Sequence, residues 1–224
     1  MTTAERRFAD ALAKARAEWA AADAAACADR AGCERTEGGV LVPLFGVAHL
    51  VTHPGGAVAP AEGRRAGAAG PAAARPPVHA AVAVLLLHYL LTADGTPPAG
   101  AWAAYRELPD GLFYAPAFAA RAEEPLTRAF AGPGQGASGS TGLDAFRGAA
   151  RRAGGDALTL GDASFRFGAL PRLDVAVLVW AGDDEEPGEA RLLFDAGAGH
   201  YLPAEDLAGL GGQLAHRLVA AARA

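Results

Sequence analysis

Isoleucine and asparagine are missing from the 224 residues, lysine and methionine occur once each, and cysteine occurs twice. Two thiols, Cys27 and Cys33, are too few for a secreted disulfide framework or a four-thiolate cluster, so an iron–sulfur centre held by this chain is not expected. Their spacing is neither the two-residue gap of redox pairs nor that of a zinc ribbon. Lys14 stands alone against 19 arginines, beside 59 alanines and 29 glycines. That bias reads as GC-rich codon usage, so the arginine excess is no footprint of nucleic-acid binding, and the net charge of −5 opposes such binding too. No apolar run reaches membrane-spanning length: the densest, residues 78–91, is too short and contains His79 and His88. The N-terminus leads into an amphipathic pattern without a signal-type apolar block, and a soluble cytoplasmic protein is expected. No P-loop, HExxH or GxSxG motif occurs, and the glycine-rich stretch 132–142 has neither a preceding strand pattern nor the spacing of a nucleotide loop.

What is present predicts an α+β fold, with helices packed on a small, mostly antiparallel sheet. Phe8, Leu12, Ala15 and Trp19 lay an apolar stripe along a first helix running from 3 to about 31, with Gly32 as its stop. Residues 40–45 and 47–51 read as a strand pair turning at Gly46, and Pro43 places the first of them at an edge. Residues 78–93 form an apolar, buried central helix, and 116–130 and 143–153 form two more. Ser164–Phe167 alternates as a half-buried strand; 175–180 is a run suited to burial on both faces, and 191–194 returns beside it. A final helix near 203–223 carries Leu207, Leu210, Leu214 and Leu218 inward. The chain is read as one domain, 1–224, with flexible insertions at about 55–77 and 132–142.

Three groups of residues could carry chemistry. His88–Tyr89 lies in the central helix and His200–Tyr201 just before the last one; an uncharged imidazole enclosed by apolar neighbours offers a nitrogen to a metal or to the iron or cobalt of a tetrapyrrole. The bland reading ties each imidazole to a backbone carbonyl. Trp102, Arg106 and Tyr114 sit in an aromatic, charged segment that could wall a ligand, Arg106 clamping its carboxylate, or could merely anchor a connection. Asp183, Asp184, Glu185 and Glu186, with Asp195 after the return strand, concentrate oxygen ligands for a hard cation near one hairpin, although charged hairpin tips are common.

LLLHYLL (85–91), GAWAAYRELPDGLFY (100–114), GDASFRFGALPRL (161–173), and VLVWAGDDEEPGEARLLFD (177–195) followed by HYLPAEDLA (200–208) resemble an uncharacterised prokaryotic family, domain-of-unknown-function family three-seven-eight-six. The resemblance implies a neighbourhood of corrinoid or other metallocofactor metabolism, since some relatives carry an added iron–sulfur module like that of corrinoid iron–sulfur proteins. It supplies no catalytic residues, and this chain lacks the cysteine cluster of the fused members. Three readings stand. One is a binding or accessory protein for a metal-containing or tetrapyrrole-like cofactor, haem or corrinoid, ligated by His88 and His200 and walled by Tyr89, Trp102, Tyr114 and Tyr201. Another is a non-catalytic interaction module partnering a redox or cofactor-handling protein. The third is a divalent-cation-dependent hydrolase or transferase using Asp183, Glu185, Glu186 or Asp195.

Overall fold

A computed structural model describes residues 3–61, 78–131, 140–182 and 185–223. The chain divides into two compact units. One comprises Met1–Pro97 with Leu170–Arg172 and His200–Leu202; the other comprises Pro98–Ala169, Leu173–Gly199 and Pro203–Ala224.

In the first unit the expected long N-terminal helix is two, α1 (Thr3–Ala21) and α2 (Ala24–Ala31). Asp23 makes the break: its Oδ1 accepts the Ala25 and Ala26 N–H groups at 2.9 and 3.2 Å, so it starts a new helix where apolar periodicity alone would run on. Gly32 ends α2 with φ +68°, as its position suggested. Of the apolar stripe on α1, Ala15 and Trp19 are fully buried while Phe8 stays 40% exposed.

Four antiparallel strands follow in sequential order: β1 (Glu34–Thr36), β2 (Gly39–Leu44), β3 (Val47–Thr52) and β4 (Val58–Pro60). The two-residue turn between β2 and β3 has φ of 48° at Phe45 and 75° at Gly46, the left-handed pair that suits the twist of a tight hairpin. Pro43 does not put β2 at an edge, because β2 is paired on both sides. The register explains the tolerance. Pro43 faces Ala48 one step beyond the hydrogen-bonded pair that flanks the turn, so its nitrogen points away from β3, and β1 reaches only to Glu34 opposite Leu41. The tract expected to be flexible from about 55 also begins differently, since Val58–Pro60 is the strand β4. Its remainder, 62–77, lies outside the described residues, as does 132–139 of the second tract.

The expected central helix is α3 (Ala80–Thr92), capped by His79, whose Nδ1 accepts the Ala81 N–H at 3.3 Å. Leu85, Leu86, Leu87, Tyr89 and Leu90 are buried, each large aliphatic contributing roughly 1.5–3 kcal/mol of burial. The burial does not extend all round, for Val82, His88 and Leu91 remain partly exposed.

In the second unit a five-stranded sheet runs β5 (Trp102–Ala104), then β9 (Glu189–Asp195), β8 (Leu173–Trp180), β7 (Ala163–Leu170) and β6 (Asp156–Leu158). β8 is buried along most of its length, as its unbroken apolar run requires. The helix expected at 116–130 begins earlier: α4 (Gly111–Phe118) passes through a π-helical turn, Ala119–Glu123, into α5 (Glu124–Phe130). α6 (Ser140–Arg152) and α7 (Ala204–Ala222) complete the unit, and all four expected leucines of α7 are buried. A Cβ at Gly211 would stand 2.7 Å from the Phe118 ring, so this glycine lets α7 approach α4 closely. β5 pairs only with residues 193–195 of β9, and the helices cover the rest of that edge. Thr127 Oγ1 accepts the Ala190 N–H at 2.9 Å and Glu123 Oε1 accepts the Leu192 N–H at 3.2 Å.

Candidate functional site

α3 directs Tyr89 into the interior of the first unit, where the fully buried phenol joins three segments far apart in sequence. Its hydroxyl donates to the Ala31 carbonyl at 2.7 Å and accepts the Arg172 N–H at 3.2 Å. The Tyr201 ring, also fully buried, lies 6.0 Å from it, tilted by 33°. Thus the two His-Tyr pairs do meet, through their tyrosines. Burial pushes the Tyr89 phenol well above its ordinary range, so it works as a neutral hydrogen-bonding post. The half-buried Cys33 thiol is pushed up to about 12, again by burial, against the opposing pull of the nearby Arg172; it is a protonated, unreactive thiol at neutral pH.

The segment that follows α3 gathers polar groups around the helix end. Arg30 Nε donates to the Ala93 carbonyl at 2.8 Å and Arg172 Nη1 to the Gly95 carbonyl at 3.4 Å, placing guanidinium charge where a helix presents unpaired carbonyls. Asp94 accepts the Thr96 N–H on Oδ1 at 2.8 Å, an Asx turn, and meets His200 Nδ1 on Oδ2 at 2.7 Å. The Thr96 amide first, then the His200 imidazole, hold the Asp94 carboxyl down to about 2. An ionised carboxylate can only accept, so Nδ1 carries the shared proton, and in the uncharged form of the ring Nε2 is the acceptor. The imidazole is 49% exposed and the carboxylate 48%.

The histidines therefore differ from expectation in their surroundings. His200 is exposed and tied to a side-chain carboxylate, not enclosed by apolar neighbours; a short 3₁₀ turn, Ala198–His200, lifts its ring away while Tyr201 turns inward. His88 is half-buried, on the partly exposed side of α3 with Leu91. Asp94, Arg30 and Arg172 were not singled out from sequence. The Asp-Gly-Thr run after an apolar helix was the one local signal, pointing to a turn but not to its imidazole partner.

The other candidates are placed in the second unit. Trp102 sits half-buried in β5, opposite Asp195 on β9, and Arg106 is exposed. Glu107, its neighbour, accepts the Ala104 N–H at 2.8 Å. Tyr114 is 40% exposed, its ring edge-on to Phe113 at 5.0 Å, within α4. Asp195 is set apart from the acidic hairpin. Its carboxylate, 4% exposed, accepts the N–H groups of Ala99 (2.9 Å), Gly100 (2.8 Å) and Gly197 (2.8 Å) at the end of β9 remote from that hairpin. Glu185 and Glu186 are exposed, and Asp183 and Asp184 lie outside the described residues. Among the described residues, no group of three or more His, Cys, Asp or Glu side chains could hold a metal ion, and no helix is long and apolar enough to cross a membrane.

Residues 23–217 match the family model described as Domain of unknown function (DUF3786). No curated protein and no solved structure matches the chain.

Proposed function

Starting from the fact that the chain belongs to the DUF3786 family, which brings no activity with it, we propose that it is a binding or accessory protein for a metal-containing macrocycle, a haem or a corrinoid. His200 supplies the axial ligand and Asp94 sets its orientation. The 2.7 Å contact between His200 Nδ1 and Asp94 Oδ2 carries the reading. A carboxylate on one ring nitrogen fixes the tautomer and raises the basicity of the other, the arrangement by which ligating imidazoles are held. Half exposure leaves the imidazole open to a molecule from outside. The choice of a macrocycle over a bare ion follows from the donor set. A structural or catalytic ion needs three or four protein ligands, whereas a tetrapyrrole or corrin brings its own equatorial nitrogens and asks the protein for one or two axial groups. His88 is the candidate for a second one.

Titrating the protein with haem, and anaerobically with cobalamin, while following the visible absorbance tests this. The wild-type chain should shift the cofactor bands, His200→Ala should abolish the shift, and Asp94→Asn should weaken binding by about 10–100-fold. A wild-type spectrum equal to that of free cofactor, or a shift untouched by His200→Ala, overturns the reading. His88→Ala then decides whether a second imidazole takes part.

A further inference from the structure

α4 and the π-helical turn after it present an outer face that nothing in their own unit explains. Their inner line, Gly111, Phe118 and Ala122, is buried. Leu112 is 73% exposed, Phe113 82% and Tyr114 40%, and Pro116, Ala117 and Ala120 are exposed as well. Residues 111–120 contain no charged side chain, so a helix surface facing solvent carries the composition of a core. Leu112, Pro116 and Ala120 recur at four-residue intervals, with Phe113 and Ala117 beside them, which makes one continuous stripe.

We propose that this face docks a second copy of itself, antiparallel, across a two-fold axis near residues 115 and 116. The argument is self-complementarity. The stripe has its large residues, Leu112 and Phe113, at one end and its small ones, Pro116, Ala117 and Ala120, at the other. Antiparallel apposition seats the large side chains of each copy on the flat, small-residue half of its partner, as an isologous interface requires; parallel apposition sets bulk against bulk. Charge agrees. Exposed Asp110 stands before the stripe and exposed Arg121 after it, about 16 Å apart along a helix, so the antiparallel pair brings unlike charges together twice. A lipid surface would ask for cationic flanks at both ends, which this face lacks.

The size of the stripe sets the strength. Leu112, Phe113 and Tyr114 together expose on the order of 350 Å². Two copies then bury roughly 700–900 Å² with the small residues included, below the ~1,200 Å² at which stable interfaces begin. The dimer is accordingly weak and reversible, of the kind that forms at high protein concentration.

Sedimentation velocity of the whole chain between about 5 and 500 μM tests it. The sedimentation coefficient should rise toward a dimer across that range. Phe113→Ser and Ala117→Glu, both at exposed sites, should each weaken association more than 10-fold without lowering the melting temperature. Asp110→Arg or Arg121→Asp alone should weaken it about 3-fold or more, and the two together should restore it. A chain that stays monomeric throughout overturns the proposal, whether or not it then floats with neutral phosphatidylcholine vesicles. So does a dimer indifferent to Phe113→Ser and Ala117→Glu.

Discussion

Asp94 and Asp195 each close a turn by accepting backbone N–H groups, yet they stand in opposite settings. Asp195 is 4% exposed and its carboxylate accepts the main-chain amides of Ala99, Gly100 and Gly197. Asp94, nearly half exposed, keeps one oxygen for the Thr96 amide and gives the other to an imidazole. Both carboxylates stand where an apolar element ends, Asp94 just after α3 and Asp195 as the last residue of β9, and local sequence does not tell them apart. The difference shows that a buried acid saturated with amides is part of the scaffold, whereas an exposed acid shared with an imidazole fixes that ring's orientation, which the proposed ligand role of His200 requires.

The comparison is broken most severely at Asp195. Asp195→Ala leaves three amides without their acceptor and should cost about 3 kcal/mol in urea unfolding. Asp195→Asn should recover part of this, because one amide oxygen can still serve Ala99 and Gly197 while the new NH₂ group faces the Gly100 N–H. A smaller loss, about 1–2 kcal/mol, is expected from Tyr89→Phe, which keeps the ring against Tyr201 but removes the hydroxyl that joins Ala31 to Arg172. That experiment separates the buried support in α3 from the exposed turn just past it. If the turn depends on the support, the Asp94 resonance in the NMR spectrum should move in Tyr89→Phe as well.

The gentlest test is of Asp94 itself. Its folded value of about 2 lies below the ordinary ~4 of an aspartate, so ionisation favours the folded state. That contribution is present above about pH 4 and is lost as the pH falls through about 2. NMR titration of the carboxyl should show this low midpoint, and His200→Ala should raise it only part of the way, since the Thr96 amide is the larger cause and remains. A full return to ~4 would mean that the imidazole does nearly all the work.

Periodicity revealed the helices whose burial is one-sided or complete: α3 and α7 fall where their leucines recur, and β8 where its apolar run is unbroken. It failed where a local polar group or a register outweighed it. Asp23 divides the first helix, and Pro43 sits in an interior strand because its missing N–H faces no partner. It also started the second helix late, at 116, whereas α4 begins at Gly111. At the site, the sequence exposed His200 and Tyr201 as residues of interest but suggested a greasy enclosure for both, while the folded chain buries one and exposes the other.

Amino-acid order alone determined the mixed α+β character, the positions of the strongest helices and strands, and the tight turn at Phe45–Gly46, because each depends on neighbours within a few residues. Only the tertiary structure decided that His200 would find Asp94, 106 positions away, and that Tyr89 would bridge Ala31 and Arg172, 58 and 83 positions away. Such contacts have no counterpart in the extended chain. They come into being once loop closure has been compensated by burial elsewhere, and their geometry belongs to the packed molecule as a whole.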